Sequence, residues 1–107
     1  MDVSIIIVNY NTCDLLKQCI QSIITNTREV VYEIIVIDND SHDESCQMLK
    51  NDFPTVKLIR SNINLGFGKA NNLGIKQASG KYLFFLNSDT ILCNNAIKNF
   101  CEFSISY

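Results

Sequence analysis

The amino-acid sequence predicts an α/β fold with a doubly wound, mostly parallel sheet. Short runs of β-branched and aromatic residues alternate with segments whose apolar residues recur at helical spacing. Strands that alternate with helices are typical of parallel βαβ units with right-handed connections. The chain has 107 residues and contains no repeat, low-complexity tract or linker, so we expect a single domain over residues 1–107.

The first strand is predicted over Val3 to Val8, a largely β-branched run typical of a strand that is buried on both faces. Asn11 and Thr12 follow it and can cap a helix. We expect that helix to end at Asn26-Thr27. Its apolar face consists of Leu16, Cys19, Ile20, Ile23 and Ile24.

The second strand is predicted over Glu33 to Ile37, and it stops at the polar turn Asp38-Asn39-Asp40. The next four residues, Ser41 to Glu44, match a capping box and predict the start of the second helix. Pro54 marks the end of that helix because the residue before a proline disfavours helical geometry.

A third, short strand is predicted over Val56 to Ile59, followed by a polar loop from Ser61 to Gly68. A helix from Lys69 to Ala78 comes next, and Gly80 closes it. The fourth strand is predicted over Lys81 to Leu86 and should be buried. One more amphipathic helix is predicted from Asn95 to Phe103, through Ile97, Phe100 and Cys101.

The polar turn after the fourth strand carries one carboxylate, Asp89. Ligands of open α/β sheets bind outside the carboxyl ends of the strands, and a lone acid there suits a hard divalent cation that holds a diphosphate. The alternative is a solvated turn or a helix N-cap, since Asn, Ser, Asp and Thr all favour those positions.

Composition argues against several classes of function. The net charge of −2 and the scattered basic residues are unlike those of a nucleic-acid binder. No apolar run is long enough to span a bilayer and no signal peptide is evident, so we expect a cytoplasmic protein. The five cysteines have neither C-x-x-C nor zinc-ligand spacing, which favours reduced thiols packed in the core.

Three polar clusters follow predicted parallel strands: Asn9–Asn11, Asp38–Asp40 and Asn87–Asp89. Carboxyl ends of parallel strands lie at one edge of a sheet, so the clusters can converge on one crevice. Turn chemistry is the alternative for each cluster taken alone. Tyr10 offers a flat face for a nucleobase, with ordinary packing as its alternative, and Asp38 with Asn39 can pair with a base edge or a ribose hydroxyl.

The segment Asn64 to Asn72 has two glycines beside a predicted helix N-terminus. Glycine lets the backbone approach a ligand closely, and a helix N-terminus favours anionic groups. Its Gly-x-Gly does not follow the first strand, so it is no dinucleotide fingerprint, and the chain has no Walker motif. The single histidine, His42, is expected in the first turn of a helix and in solvent.

Four motifs occur in a fixed order: Ser4-Ile-Ile-Ile-Val-Asn-Tyr-Asn11, Ile34-Ile-Val-Ile-Asp-Asn-Asp-Ser41, Asn64-Leu-Gly-Phe-Gly-Lys-Ala-Asn-Asn-Leu-Gly-Ile75 and Phe84-Phe-Leu-Asn-Ser-Asp89. Together they resemble the N-terminal half of a family 2 glycosyltransferase with the GT-A fold, in particular its rhamnosyltransferase-like branch. The resemblance covers essentially the whole chain. It implies a Rossmann-like half-domain and inverting transfer of a sugar from a nucleotide-diphosphate donor to a saccharide or lipid-linked acceptor.

The resemblance also implies roles for individual residues. The metal ligand would be Asp89, with Mg²⁺ or Mn²⁺ as the cofactor; the usual motif has two acids, and Asn87 stands in place of the first. The nucleotide-sugar would be bound by Asn9, Tyr10, Asn11, Asp38, Asn39, Asn64, Gly66, Gly68, Asn71, Asn87 and Ser88.

The general base that an inverting displacement requires is expected beyond Tyr107, because the family supplies it from a second half together with the acceptor site. The chain is therefore expected to be a truncated, donor-binding part that can self-associate through uncovered apolar surface. In a full-length protein it would work in the cytoplasm or at the inner face of the membrane. The alternatives are a non-catalytic nucleotide-binding module, an inactive fragment, and a doubly wound signalling domain that binds no ligand.

Overall fold

The computed structural model describes residues 1–99 and confirms the α/β fold. Four strands and three helices alternate along the described part of the chain. The strands are β1 (Val3–Asn9), β2 (Tyr32–Asn39), β3 (Lys57–Ser61) and β4 (Tyr82–Asn87). The helices are α1 (Cys13–Asn26), α2 (Ser45–Asp52) and α3 (Phe67–Gln77).

All strand pairs of the sheet are parallel, in the order β3-β2-β1-β4. Ile7 of β1 lies opposite Val36 of β2 on one side and opposite Leu86 of β4 on the other. The chain first winds outward through β2 to β3 and then crosses back to place β4 beyond β1. This reversal puts a topological switch point between β1 and β4, where open sheets form a ligand crevice.

Helices cover both faces of the sheet, as a doubly wound fold requires. One apolar cluster joins alternate residues of β1, such as Ile5, to Leu16 and Ile20 of α1 and to Leu49 of α2. The other cluster joins Ile6 and the corresponding face of β2 to Ala70 of α3. The predicted burial of the central strand on both faces is confirmed, since Ile5 and Ile6 are fully buried.

Strand β4 is less buried than its apolar sequence predicts, and that prediction is wrong. It lies at the edge of the sheet formed by residues 1–99, and Phe85 is 45% exposed. Phe85 lies opposite Ile6 in register, on the face that α3 covers. However, α3 packs mainly on β1 and β2, so it leaves the Phe85 ring open.

Two helices begin at different residues from those predicted. Helix α2 begins at Ser45 rather than at Ser41, because the Ser41 hydroxyl accepts a hydrogen bond from the Asn11 N–H at 2.9 Å instead of capping its own helix. His42 therefore precedes the helix, and its side chain lies in solvent as expected. Helix α3 begins at Phe67, so Gly68 belongs to its first turn and not to the loop.

The cysteines divide into two groups. Cys19 and Cys46 are buried, which confirms the prediction for them, whereas Cys13 is partly buried and Cys93 is exposed; all four are free thiols. Cys101 lies outside the described residues, as does the second part of the last predicted helix, residues 100–103. Of its described part, residues 96–99 form a helical turn. No helix within residues 1–99 combines the length and apolarity needed to cross a bilayer.

Candidate functional site

An open pocket of about 430 Å³ lies at the carboxyl edge of the sheet, at the switch point between β1 and β4. It is lined by the turns after β1 and β4, by the end of β2 and by the segment that leads into α3. Its lining residues are Val8, Tyr10, Thr12, Leu15, Asn39, Asn64, Gly66, Phe67, Asn87, Ser88 and Asp89.

The turn after β1 places its three polar residues differently. Asn9 is fully buried and faces the interior, whereas Tyr10 is 48% exposed and lines the pocket. Asn11 has φ +53°, in the left-handed region that asparagine tolerates better than most residues. Its side-chain oxygen accepts the His42 N–H at 2.7 Å, so the turns after β1 and β2 are fastened to each other.

Asp38 lies inside this edge of the sheet and does not line the pocket. It is 1% exposed. One carboxylate oxygen accepts a hydrogen bond from the Asn9 amide at 3.1 Å, and the other accepts the Ser41 N–H at 3.0 Å. Asp38 thus holds the two neighbouring turns in place, and any effect on a ligand passes through those residues.

Asn39 shapes the segment that leads into α3. Its side-chain amide donates to Asn64 Oδ1 at 2.9 Å, and its own Oδ1 accepts the Leu65 N–H at 2.7 Å. Asn64 Oδ1 also accepts the Gly66 N–H at 2.9 Å. Gly66 has φ +79°, a conformation that favours glycine, and the backbone enters α3 directly after it.

The turn after β4 presents Asp89 to the pocket. The Thr90 N–H donates to the Asn87 carbonyl at 3.0 Å and closes the turn, which confirms the predicted turn geometry. Asp89 is exposed and is the one carboxylate among the lining residues that the structure describes. Beneath the turn, burial and then the charge of Asp89 raise the pKa of the Cys19 thiol to about 11, so this thiol stays protonated.

Thr12 connects the turn after β4 with the turn after β1. Its hydroxyl lies 2.7 Å from Asn9 Oδ1 and 2.8 Å from the Ser88 hydroxyl, 76 positions away in sequence. Thr12 occupies the N-cap position of α1, yet its side chain makes no capping hydrogen bond, contrary to the sequence prediction.

Asp43 takes over the capping at the starts of two helices. One carboxylate oxygen accepts the Cys13 N–H at 3.1 Å, and the other accepts the Ser45 N–H at 2.9 Å and the Ser45 hydroxyl at 2.5 Å. Partial desolvation raises the pKa of Asp43, but these hydrogen bonds outweigh it and lower the pKa below its ordinary value. One side chain therefore stabilises the first turns of both α1 and α2.

Seven of the residues predicted for the site meet in the pocket, and five do not line it. Those in the pocket are Tyr10, Asn39, Asn64, Gly66, Asn87, Ser88 and Asp89. The others are Asn9 and Asp38, buried beneath it, Asn11, in the linked turn, and Gly68 and Asn71, on α3.

Four lining residues were not among the predicted site residues: Val8, Thr12, Leu15 and Phe67. Val8 was predicted only as the last residue of the first strand. Thr12 was expected to serve only as a helix cap, and nothing in the sequence distinguishes the two uses of its hydroxyl. Leu15 and Phe67 are exposed apolar residues, 43% and 56% accessible, in the first turns of α1 and α3. The starts of α1 and α3 lie at the carboxyl edge of the sheet, as the strand ends do. Their position in the chain is the signal that could have indicated Leu15 and Phe67.

The oxygen atoms around Asp89 are of the types that hold hard divalent cations. Carboxylate, amide and hydroxyl oxygens at residues 87–89 line the same pocket, and these are the ligand types that Mg²⁺ and Mn²⁺ prefer. No cluster of three or more His, Cys, Asp or Glu side chains suited to a metal occurs within residues 1–99. Asp89 is thus the one carboxylate lining the pocket within residues 1–99 that could hold such a cation directly.

Comparison with known sequences identifies relatives along most of the chain. The sequence model of the family described as Glycosyl transferase family 2 matches residues 4–104. A poly(ribitol-phosphate) beta-glucosyltransferase of Bacillus spizizenii is 35% identical over 97% of this chain and 17% of its own length. A dolichol-phosphate mannosyltransferase of Pyrococcus furiosus is 36% identical over 83% of this chain and 26% of its own length. The chain thus spans a minor part of these relatives.

Solved structures share the fold. The crystal structure of S. aureus TarS in complex with UDP-GlcNAc superposes with a TM-score of 0.87 at 24% identity, over 99% of this chain and 32% of that one. The mannosyltransferase PcManGT from Pyrobaculum calidifontis, in complex with GDP-Man and Mn²⁺, superposes with a TM-score of 0.81 at 19% identity, over 91% and 30%. Both agree with the GT-A type of sheet expected from the sequence.

Proposed function

The chain belongs to glycosyl transferase family 2, and from that premise we propose that it forms the donor-binding part of an inverting glycosyltransferase. It would bind a nucleotide-diphosphate sugar for transfer to a saccharide or lipid-linked acceptor. The observation that carries this proposal is the convergence of Tyr10, Asn39 and Asp89 on one pocket at the switch point of the sheet. The complexes of TarS with UDP-GlcNAc and of PcManGT with GDP-Man support it.

Each wall of the pocket suits one part of such a donor. The half-exposed Tyr10 ring offers a face on which a nucleobase can stack. Asn64 and Gly66 line the pocket beside the start of α3, where the N-terminal end of a helix favours anionic groups. Asp89 lines the same pocket from the turn after β4, so the diphosphate would lie between the start of α3 and Asp89.

A divalent cation at Asp89 is the second part of the proposal. When bound, Mg²⁺ or Mn²⁺ would neutralise the charge that develops on the diphosphate leaving group. Asp89 would hold the cation directly, and Asn87 and Ser88 would hold the surrounding water and phosphate oxygens. The Mn²⁺ complex of PcManGT supports this choice of cation.

Calorimetric titration with UDP and dTDP, with and without Mn²⁺, tests the proposal. We expect Mn²⁺ to raise nucleotide affinity in the unaltered protein, and Asp89→Asn to reduce that gain by about tenfold or more, because the amide keeps the shape of the side chain and removes its charge. Binding without metal should change little, since the base contacts are untouched.

Asp52→Asn is the matched control for this titration. Asp52 lies at the end of α2 in an exposed ion pair with Lys17, away from the pocket, and the substitution removes the same charge. It should leave the metal-dependent gain unchanged. A folded protein that binds neither nucleotide would contradict the donor-binding proposal, and an Asp89→Asn protein with an undiminished gain would contradict the metal site.

A nucleotide-binding module without transfer activity is the second candidate. The observation that favours it is that a single carboxylate, Asp89, lines the pocket within residues 1–99. If Asp89 holds a metal, no lining carboxylate is left there to take a proton from an acceptor. Formation of a glycosylated acceptor together with release of the nucleoside diphosphate from a nucleotide-sugar would decide for the transferase.

A further inference from the structure

A chain of hydrogen bonds connects Asp38 to Ser88 through Asn9 and Thr12. The Asp38 carboxylate determines which atom is the donor in each of these bonds. A carboxylate only accepts hydrogen bonds, so the Asn9 side chain must turn its NH₂ group toward Asp38 Oδ1, 3.1 Å away. The Asn9 carbonyl oxygen then faces Thr12, and the Thr12 hydroxyl must donate to it at 2.7 Å.

The same logic fixes the Ser88 hydroxyl. The Thr12 hydroxyl has one hydrogen, which it has given to Asn9, so across the 2.8 Å contact Ser88 must be the donor and Thr12 the acceptor. With its hydrogen turned to Thr12, Ser88 Oγ has only acceptor capacity left. Ser88 lines the pocket beside Asp89, where an acceptor suits a cation or a water that the cation holds, and does not suit a bare phosphate.

We propose that Thr12 is a positioning residue that couples the metal-binding and nucleoside-binding sides of the donor site. This inference rests on the proposed function. The Ser88–Thr12–Asn9–Asp38 chain of hydrogen bonds runs in one direction from the turn after β4 to the carboxyl end of β2, and bonds aligned in this way strengthen one another. A cation beside Ser88 would order one end of this chain, and a nucleoside against Tyr10 would order the turn that follows Asn9, so both would act on the same four side chains.

The position of Thr12 supports a role beyond helix capping. Threonine at an N-cap normally bonds the N–H groups of the first helical turn, yet here no such bond forms and Asp43 accepts the Cys13 N–H instead. The Thr12 hydroxyl is thus available for Asn9 and Ser88. Its removal should disturb the connection across the site more than the start of α1.

The test measures the metal gain, defined as the UDP dissociation constant without Mn²⁺ divided by that with Mn²⁺. Thr12→Val keeps the shape of the side chain and deletes both hydrogen bonds, so we expect the metal gain to fall by about fivefold to tenfold. Thr12→Ser keeps the hydroxyl and should stay within about twofold of the unaltered protein. A purely structural role would lower affinity equally with and without Mn²⁺ and leave the metal gain unchanged.

Thr27→Val provides a matched control within the same chain. The Thr27 hydroxyl is buried and has no hydrogen-bond partner in the described part of the chain, so its removal should leave the metal gain unchanged. In a Ser88→Ala background the partner hydroxyl is already gone, and adding Thr12→Val should lower the metal gain by much less than it does alone. This second comparison tests the coupling even if Thr12→Val alone lowers stability.

The outcomes separate this inference from the proposed function. If the unaltered protein shows a metal gain and the Thr12→Val protein shows the same gain, the coupling role is overturned and the proposed donor site stands. The coupling role would also be overturned if Thr12→Val lowered the metal gain by the same factor in the Ser88→Ala protein as in the unaltered protein. An unaltered protein that binds no UDP would overturn the proposed function first, and the coupling with it.

Discussion

Asp38 shows how one buried carboxylate can organise a site that it does not line. It is nearly inaccessible, and both of its oxygens accept hydrogen bonds, from the Asn9 amide and the Ser41 N–H. A direct contact with a nucleotide, as expected from the sequence, would require movement of these groups. Its role in binding stays a prediction, and the structure offers an indirect route for it.

Asp38→Asn should lower both stability and nucleotide affinity. The amide replaces one acceptor oxygen by a donor and leaves a buried N–H group unpaired, which costs about 1–3 kcal/mol of the free energy of unfolding. UDP affinity should fall even without metal, because Asn9 and the turn after β2 lose their fixed positions. Urea unfolding and calorimetry measure the two effects.

Asp40→Asn is the control for that substitution. Asp40 has φ +67°, which asparagine also tolerates, and its carboxylate lies 3.5 Å from the exposed His42 ring. Loss of this exposed pair should change stability by well under about 1 kcal/mol. Unchanged UDP affinity in the Asp38→Asn protein would contradict any role for Asp38 in the site.

Helix α3 contains two glycines, Gly68 and Gly74, whose surroundings differ in the space they leave for a side chain. A Cβ at Gly74 would lie 2.6 Å from Ile6 Cγ2 and 2.8 Å from Ile37 Cδ1, so this glycine lets the helix approach the sheet closely. A Cβ at Gly68, in the first turn of the helix, would have no atom within 4 Å. The two positions lie on different sides of the same helix.

The same substitution at these two positions should therefore change stability in opposite directions. Gly74→Ala should lower the free energy of unfolding by about 1–3 kcal/mol, because the methyl group overpacks the α3–sheet contact. Gly68→Ala should raise it by about 0.4–1 kcal/mol, because alanine loses less backbone entropy. Urea unfolding of both variants tests the pair, and a loss at Gly68 would contradict it.

The elements could be predicted well where the sequence alone determines them. The runs from Val3 to Val8 and from Glu33 to Ile37 are largely apolar and β-branched, and both form central strands. Helix starts were less predictable because they depend on contacts across the chain. Ser41 binds Asn11, 30 positions away, and so α2 starts later than its capping box indicates.

Part of the candidate site could be predicted from the sequence. The predicted strand ends indicated that Tyr10 and Asp89 lie at the same edge of the sheet, because parallel strands share a carboxyl edge, and both residues line the pocket. The burial of Asp38 and the hydrogen bonds of the Thr12 hydroxyl to Asn9 and Ser88 were not predictable from the sequence. Both depend on which distant residues the fold brings into contact with these polar atoms.

The whole molecule depends on carboxylates at both edges of the sheet. At the carboxyl edge, Asp43 caps two helices, as described above. At the amino edge, Glu33 accepts hydrogen bonds from the Ser4 hydroxyl at 2.6 Å and the Ser79 N–H at 2.7 Å, with Lys57 3.7 Å away. Burial acts to raise the pKa of Glu33, but these partners outweigh it and lower the pKa.

Stability should fall in acid for this reason. A carboxyl group whose pKa is lowered by folding stabilises the folded state above its unfolded pKa, and that contribution is lost as the pH falls through the folded pKa. We expect the urea midpoint to decline around and below about pH 4.5, the ordinary pKa of glutamate, because the unfolded state then binds more protons than the folded state. Glu33→Gln should flatten that decline. A decline as steep in the Glu33→Gln protein as in the unaltered protein would contradict the assignment.

The order of strands also has a consequence for how the protein acquires its site. Thr12 and Ser88 meet only when β4, the last described strand to leave a ribosome, docks beside β1, the first. The pocket is therefore incomplete in any partly folded chain that lacks β4. Because apparent affinity scales with the fraction of competent molecules, any substitution that loosens β4 would weaken donor binding without touching the donor, and nucleotide affinity would report on the docking of β4 against β1.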